Sequence, residues 1–435
     1  MKKTILSAVL LLLVCCILFS GCSNHGQTMI EAGGNEISVN VFQLYLSRMR
    51  GTLASAGENV GSADYWKQYV NLDGQTYSEF YTQKVLAGLK QIAAALYLYD
   101  ELGLSLDSAA EDAIDEWINA LIEQVGEGSE TKFNAILASY GANTTVLRDA
   151  CLIEAKLDTL KTHLYGKDGS LLAATAKEEF YQQSYYRGYQ MLVANYYFDH
   201  EVDEEKNTVY YQTQKASDGT VSLTDKIAYD TKNGVATDKK DKNGDVIYRV
   251  KNEDGSLGEI AYDTENGGVK YFFDDKGEYI TKYYTTEQME ERYKLLEKIA
   301  TECQDNEQLF LKYVESFSDN SEFNDKFAPN GMYFSVGGYT GDSVFQTFSN
   351  ELAKLEVGDL AILNSDSGYY LVMRAELDTG AWAKEENSRW FQNLSELAVE
   401  YMLQKRTAPY LQYVTVDEAL ADSVDITMVA ANNYY

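Results

Sequence analysis

Between residues 28 and 185 apolar side chains recur at three- and four-residue spacing, and after residue 186 that rhythm gives way to β-prone runs and tight turns. Such a change of period excludes an all-helical bundle and a regular strand–helix alternation, and reads as α+β. The clearest helical stretch spans 78–103, with Phe80, Tyr81, Val85, Leu89, Ile92, Leu96 and Tyr99 on one face. Ahead of it, two short strand-like pieces flank Gly33-Gly34, and Ser38 is placed to cap a helix carrying Val41, Phe42, Leu44, Tyr45 and Met49. Further helical periods run through 114–122, 133–140, 146–164 and 177–186. The first β-prone run is Tyr189 to Phe198.

Residues 203–285 read as a separate insert. Turn pairs recur there, at Asp218-Gly219, Asn233-Gly234, Asn243-Gly244, Asp254-Gly255, Asn266-Gly267 and Lys276-Gly277, with short Val/Ile/Tyr strands between them. The pattern predicts hairpins in series. Ile227-Ala228-Tyr229-Asp230-Thr231-Lys232-Asn233-Gly234 returns as Ile260-Ala261-Tyr262-Asp263-Thr264-Glu265-Asn266-Gly267, an internal repeat with too few copies for a solenoid. The acidic turns lack the ligand order of an EF-hand loop and read as solvated turns.

Lys2 and Lys3 precede an apolar stretch from Ile5 to Phe19, then Ser20-Gly21-Cys22. The stretch is too short to span a bilayer comfortably, so 1–21 reads as an export signal. The small residues expose the bond before Cys22, whose thiol can carry a lipid. The arrangement resembles a bacterial lipoprotein signal, with Phe19 where Leu is usual, and 22–27 reads as a flexible tether. The expected location is the extracytoplasmic face of a bacterial membrane, held by acyl chains on Cys22. Cys15 and Cys16 leave with the signal; Cys151 and Cys303 form no disulfide framework, and Cys151 reads as a small buried hydrophobe. A formal net charge of −30 disfavours nucleic acid and anionic lipid as partners.

Residues 286–435 return to mixed structure. Helices are expected at 286–301, 307–317 and 345–355, a β/turn region at 331–341, a strand at 369–375, and a long final helix from about 384 to 410. Leu355-Glu356-Val357-Gly358-Asp359-Leu360 and the later Asp366-Ser367-Gly368-Tyr369-Tyr370-Leu371-Val372-Met373, with the helices before them, resemble a parvulin-type peptidyl-prolyl isomerase domain. The N-terminal part resembles the SurA/PrsA chaperone module, in its opening β-turn and helix, its helix and turn at 133–141 and its helix leading into the Tyr180s. With the lipoprotein signal, the order resembles extracytoplasmic foldases of the PrsA kind. The resemblance implies a helical chaperone module at 28–185 completed by 384–435, and a parvulin-like domain at 186–383 interrupted by the insert.

The resemblance also implies where an isomerase site would lie. Parvulins set two histidines under the substrate proline beside a Cys or Asp, above an apolar platform. By register the histidine positions fall at Gln190 and Tyr370, and the Cys/Asp position at Asn320. The chain's histidines are His25, His163 and His200, and none of them stands at either position. The platform falls at Val344 and Phe348, with Met332 and Phe334 as further wall. Isomerising an X-Pro bond breaks no covalent bond, so a pocket has only to favour the twisted amide. The missing pair nonetheless argues for binding over catalysis. No nucleophile elbow, P-loop or HExxH motif occurs, and no cofactor or metal is expected. The expected function is a membrane-anchored chaperone or foldase for newly exported, unfolded polypeptides. The alternatives are an active isomerase and a solute-binding or adhesive surface lipoprotein, the latter disfavoured by the long helical run.

Overall fold

The computed structural model describes residues 24–70, 74–336 and 343–435. The signal segment 1–21 and Cys22 lie outside the described residues. Helices and sheets both contribute substantially, and the described residues divide into two compact units, one running to Gln183 and including Phe391–Tyr435, the other Ser184–Trp390.

In the first unit a hairpin of β1 (Thr28–Ala32) and β2 (Asn35–Ser38) turns at Gly33-Gly34. Its outer edge is closed by Thr415–Val416, with Ile30 opposite Val416. Ser38 caps α1 (Val39–Ser55), its hydroxyl accepting from the Val41 N–H at 3.3 Å. After the short α2 (Ala63–Trp66) comes α3 (Tyr77–Glu101), which starts in a reciprocal capping box between Thr76 and Glu79. Then follow α4 (Ser108–Gln124), α5 (Glu130–Leu137), α6 (Thr144–Tyr165) and α7 (Ala174–Ser184). Phe42, Leu44, Leu89, Leu96, Phe133 and Leu147 fill the core. Cys151 is only half-buried at its margin, less enclosed than expected. The expected long final helix is shorter: 3₁₀ turns at Ala381–Ala383 and Glu385–Trp390 precede a helix confined to Leu394–Thr407. Leu403 of that helix packs on Leu98, Tyr99 and Leu160.

The described part of the expected tether is docked rather than loose. Asn143 donates to the Asn24 carbonyl at 2.7 Å, the His25 ring meets Asp149 at 2.6 Å, and the Val39 N–H donates to the Gln27 carbonyl at 2.8 Å.

The second unit is built on a four-stranded antiparallel sheet. Strand β3 (Tyr185–Ala194) lies between Met332–Ser335 and Gly368–Ala375, and Leu360–Ser365 forms an outer edge. β3 ends at Ala194, four residues before the expected run does. β4 (Tyr196–Phe198) instead pairs with Thr281–Tyr283, and the Tyr284 N–H donates to the Asn195 carbonyl at 3.0 Å. The inserted segment therefore leaves and returns at one place.

Within it, β5 (Tyr210–Lys215), β6 (Val221–Ile227) and β10 (Gly267–Val269) make one sheet; β7 (Val235–Lys240), β8 (Val246–Lys251) and β9 (Leu257–Ile260) make another. Turns at 203–207, 216–220, 241–245, 252–256 and 274–278 share one geometry. The first N–H bonds the fifth carbonyl, the fourth N–H bonds the first carbonyl, and the fourth residue has positive φ. Gly219, Gly244, Gly255 and Gly277 hold that position in four turns and Lys206 in the fifth. Asn233-Gly234 and Asn266-Gly267 do something else, and here the expectation of simple hairpins fails. Each ends a repeat whose next strand crosses to the other sheet, β7 joining β8 and β10 joining β5. The two repeats meet where they correspond: Asp230 N–H bonds Ala261, Asp263 N–H bonds Ala228, both at 2.9 Å, and the Tyr229 and Tyr262 rings stack 11° from parallel.

Candidate functional site

Pleating places alternate residues of β3 on opposite faces of the central sheet. Tyr189, Met191 and Val193, with Leu371 and Met373, pack under helices α8 (Thr286–Glu302) and α9 (Glu307–Phe317), through Leu296, Ile299, Phe310 and Val314. Tyr186, Gln190 and Leu192 face the other way. Register sets Tyr186 opposite Phe334, Gln190 opposite Val372 and Leu192 opposite Tyr370. That face is covered by α10 (Ser321–Phe327) and α11 (Ser343–Leu352). Gln190, Tyr370, Met332, Phe334 and Phe348 therefore converge on one face, although up to 180 residues of sequence separate them.

What they form is closed. Met332, Phe334 and Phe348 are 0%, 2% and 2% exposed, so the expected apolar platform is packed core and not an open wall. The Phe348 ring meets Tyr370 edge-on at 4.9 Å, and Phe345, Trp390 and Phe334 continue the aromatic cluster. Val344 departs from the expectation in the other direction: it is 37% exposed, at the start of α11. Phe327 is exposed nearby, with the Arg389 guanidinium 3.7 Å from its ring centroid.

The polar positions also differ from the expected arrangement. Asn320 precedes α10 and bonds only locally, its N–H donating to Ser318 at 3.3 Å. Asn324, one helical turn later, reaches β3 where Asn320 does not, donating to the Gln190 carbonyl at 2.9 Å. The reason lies in the backbone. Met332–Ser335 pairs β3 only as far as Gly188, which would leave the rest of that edge without partners. Ser318 and Asp319 supply them, to Leu192 and to the Ala194 N–H, and Asn324 supplies the last. Asn324 stands four residues after Asn320, which immediately precedes the helix, and that spacing was its only signal in the sequence. Gln190 Oε1 and Asn324 Oδ1 are buried without a hydrogen-bond partner.

One buried cluster gave no sequence signal. Arg187, 5% exposed, donates to the Tyr189 hydroxyl and Glu307 at 2.6 Å, to the Glu376 carbonyl at 2.9 Å, and to Asp378. Burial pushes the Tyr189 hydroxyl up to about 12. Glu307 and Asp378 lie 120 and 191 residues from Arg187, and the cluster ties β3 to the start of α9 and the loop after Ala375. None of the three histidines joins the face: His25 and His163 belong to the first unit, and His200 bonds Phe198 and Thr208 in the insert. Among the described residues no group of three or more His, Cys, Asp or Glu is placed to hold a metal, and no helix is long and apolar enough to cross a membrane.

No protein-family model matches the chain, and no curated protein does. Among solved structures it is similar to the foldase protein PrsA from Streptococcus pneumoniae, at 10% identity, covering 81% of this chain and 96% of that one, with a TM-score of 0.19. PrsA from Bacillus subtilis gives 14% identity, 80% and 91% coverage, and 0.19. PrsA from Lactococcus lactis gives 11% identity, 91% and 96% coverage, and 0.19. At that score the likeness carries no argument about this chain.

Proposed function

We propose that the protein is an extracytoplasmic chaperone or foldase, lipid-anchored through Cys22, that holds newly exported polypeptides, and that its sheet-based unit is a degenerate parvulin domain used for binding with little or no catalysis. The observation that carries the reading is the sealed face. Gln190, Tyr370, Met332, Phe334 and Phe348 lie on that face, Phe348 packs on Tyr370, and the reading takes Gln190 and Tyr370 as standing in place of histidines. A pocket that must hold a twisted amide needs access, and the Met332, Phe334 and Phe348 side chains are buried here. The exposed Phe327 and Val344 at its rim supply apolar surface for an unfolded chain without any catalytic demand.

The test is a protease-coupled proline isomerisation assay on soluble protein from Ser23 onward, with Phe348→Ala and Tyr370→Phe alongside. The expected result is the uncatalysed rate for all three, together with suppressed aggregation of an unfolded client. Acceleration that Tyr370→Phe alters while the fold stays intact would establish an isomerase instead. Tyr370→Phe is included because Phe348→Ala opens the core.

A further inference from the structure

The chain's first described residues are bound to the helical unit, and they begin two residues after Cys22. Two residues span at most about 7 Å. We propose that the face of the first unit carrying His25, Asn143 and Asp149 lies against the lipid surface, so that Asn24–Gln27 acts as a strap fixing the unit's orientation on the bilayer. This rests on lipidation of Cys22.

Three bonds define the strap. The Asn143 amide donates to the Asn24 carbonyl at 2.7 Å while its own Oδ1 caps α6 through the Val146 N–H at 2.9 Å. The His25 ring meets Asp149 at 2.6 Å, and the Gln27 carbonyl accepts from Val39 at 2.8 Å, one residue past the Ser38 cap of α1. The attachment therefore lands on the N-terminal turns of two core helices, which cannot shift without disturbing the core. A cavity of about 430 Å³ opens beside it, lined by His25, Glu36, Asp149 and Lys156 with Thr28 and Asn35. Charges of both signs stand at its wall beside the apolar Val41, Leu96, Leu152 and Ile153, a mixed surface that suits the hydrated headgroup layer at the boundary with the acyl chains. A freely hinged lipoprotein would tumble above the membrane. Here the anchor leaves the body no slack beyond those two residues.

The experiment uses the lipidated full chain on phosphatidylcholine vesicles and the soluble protein from Ser23 onward. Lysines are acetylated with a membrane-impermeant reagent, and Lys156 is compared with Lys84. Lys84 lies on α3 twelve residues before Leu96, which lines the cavity, about 18 Å away along the helix. The Lys156-to-Lys84 ratio is expected to fall by about threefold or more on vesicles, as for a side chain at headgroup level. In Asn143→Ser/Asp149→Ala, which keeps a capping oxygen while removing both strap partners, the ratio is expected to return towards the soluble value. Equal ratios on vesicles and in solution overturn the assignment. In the soluble protein, the Gly26 backbone order parameter should stand near about 0.85 and drop below about 0.6 in the double variant; a value below about 0.6 in the parent protein overturns the strap. An N-terminal peptide without acyl mass overturns lipidation and the membrane contact with it, and the Gly26 measurement then still decides the strap by itself.

Discussion

Gln190 and Tyr370 were placed by register alone, and they do fall on neighbouring strands of one face. What register could not convey is that Phe348 and Met332 would be sealed in. A ring that is 2% exposed and packed at 4.9 Å on Tyr370 is core, so Phe348→Ala should cost about 3–5 kcal/mol. Val344→Ala, four residues earlier and open to solvent, should change stability by no more than about 0.5 kcal/mol. Urea denaturation of the two variants checks this, and equal effects would mean the face is open. Asn324 and Arg187 show the same limit. Their types were visible, but their partners lie 134 residues away at Gln190 and 120 and 191 residues away at Glu307 and Asp378. No local pattern encodes such a meeting.

At the scale of elements, the glycines of the insert divide into two kinds that the turn pairs did not distinguish. Gly244 has φ +85° and open space around a would-be Cβ, so only its backbone conformation resists a side chain. Gly244→Ala should cost about 1 kcal/mol and Gly244→Asn less, because Asn tolerates the left-handed region. At Gly234 a Cβ would lie 2.9 Å from that of Ala261 and 3.0 Å from that of Tyr248, a steric clash at the crossing between sheets. Gly234→Ala should cost more than Gly244→Ala, and Asn should not rescue it; thermal melts of the four variants decide. The stem offers a second prediction. Phe198 and Thr281 face each other, so replacing 199–280 by Asn-Gly should close a two-residue hairpin and leave the central sheet folded. Retention of the far-UV CD signal expected for the remaining elements, with a single cooperative melt of the second unit, is the expected result. Loss of that transition would show that the insert is part of the unit's core.

The charge of −30 acts on the whole molecule. Self-repulsion opposes compactness, so raising NaCl from about 0.01 to 0.15 M at neutral pH should raise the melting temperature. Acidification adds an opposing effect. Backbone N–H bonds at Thr76, Thr220 and Asn233 hold the carboxyls of Glu79, Asp218 and Asp230 below their ordinary values, and the Arg148 hydrogen bond does the same for Asp115. A folded pKa below the unfolded one contributes stability that is present at neutral pH and is lost as pH falls through the depressed values. The urea midpoint should hold from pH 7 to 5 and fall below about pH 4. A midpoint that climbs on acidification would mean relief of repulsion outweighs these bonds.

The sequence by itself determined what is local: the switch of period, the cap at Ser38, turns at Asp218-Gly219, Asn243-Gly244, Asp254-Gly255 and Lys276-Gly277, and the acidic charge. Each depends on residues within a few positions of one another, where spacing and side-chain chemistry leave few options. Tertiary structure decided which apolar residues would be enclosed, that Asn324 and not Asn320 would complete the edge of β3, that the two repeats would exchange strands, and that Asn24–Gln27 would be held down. Those outcomes depend on which distant surfaces meet, and hydrophobic burial, being non-directional, does not name its partner in advance.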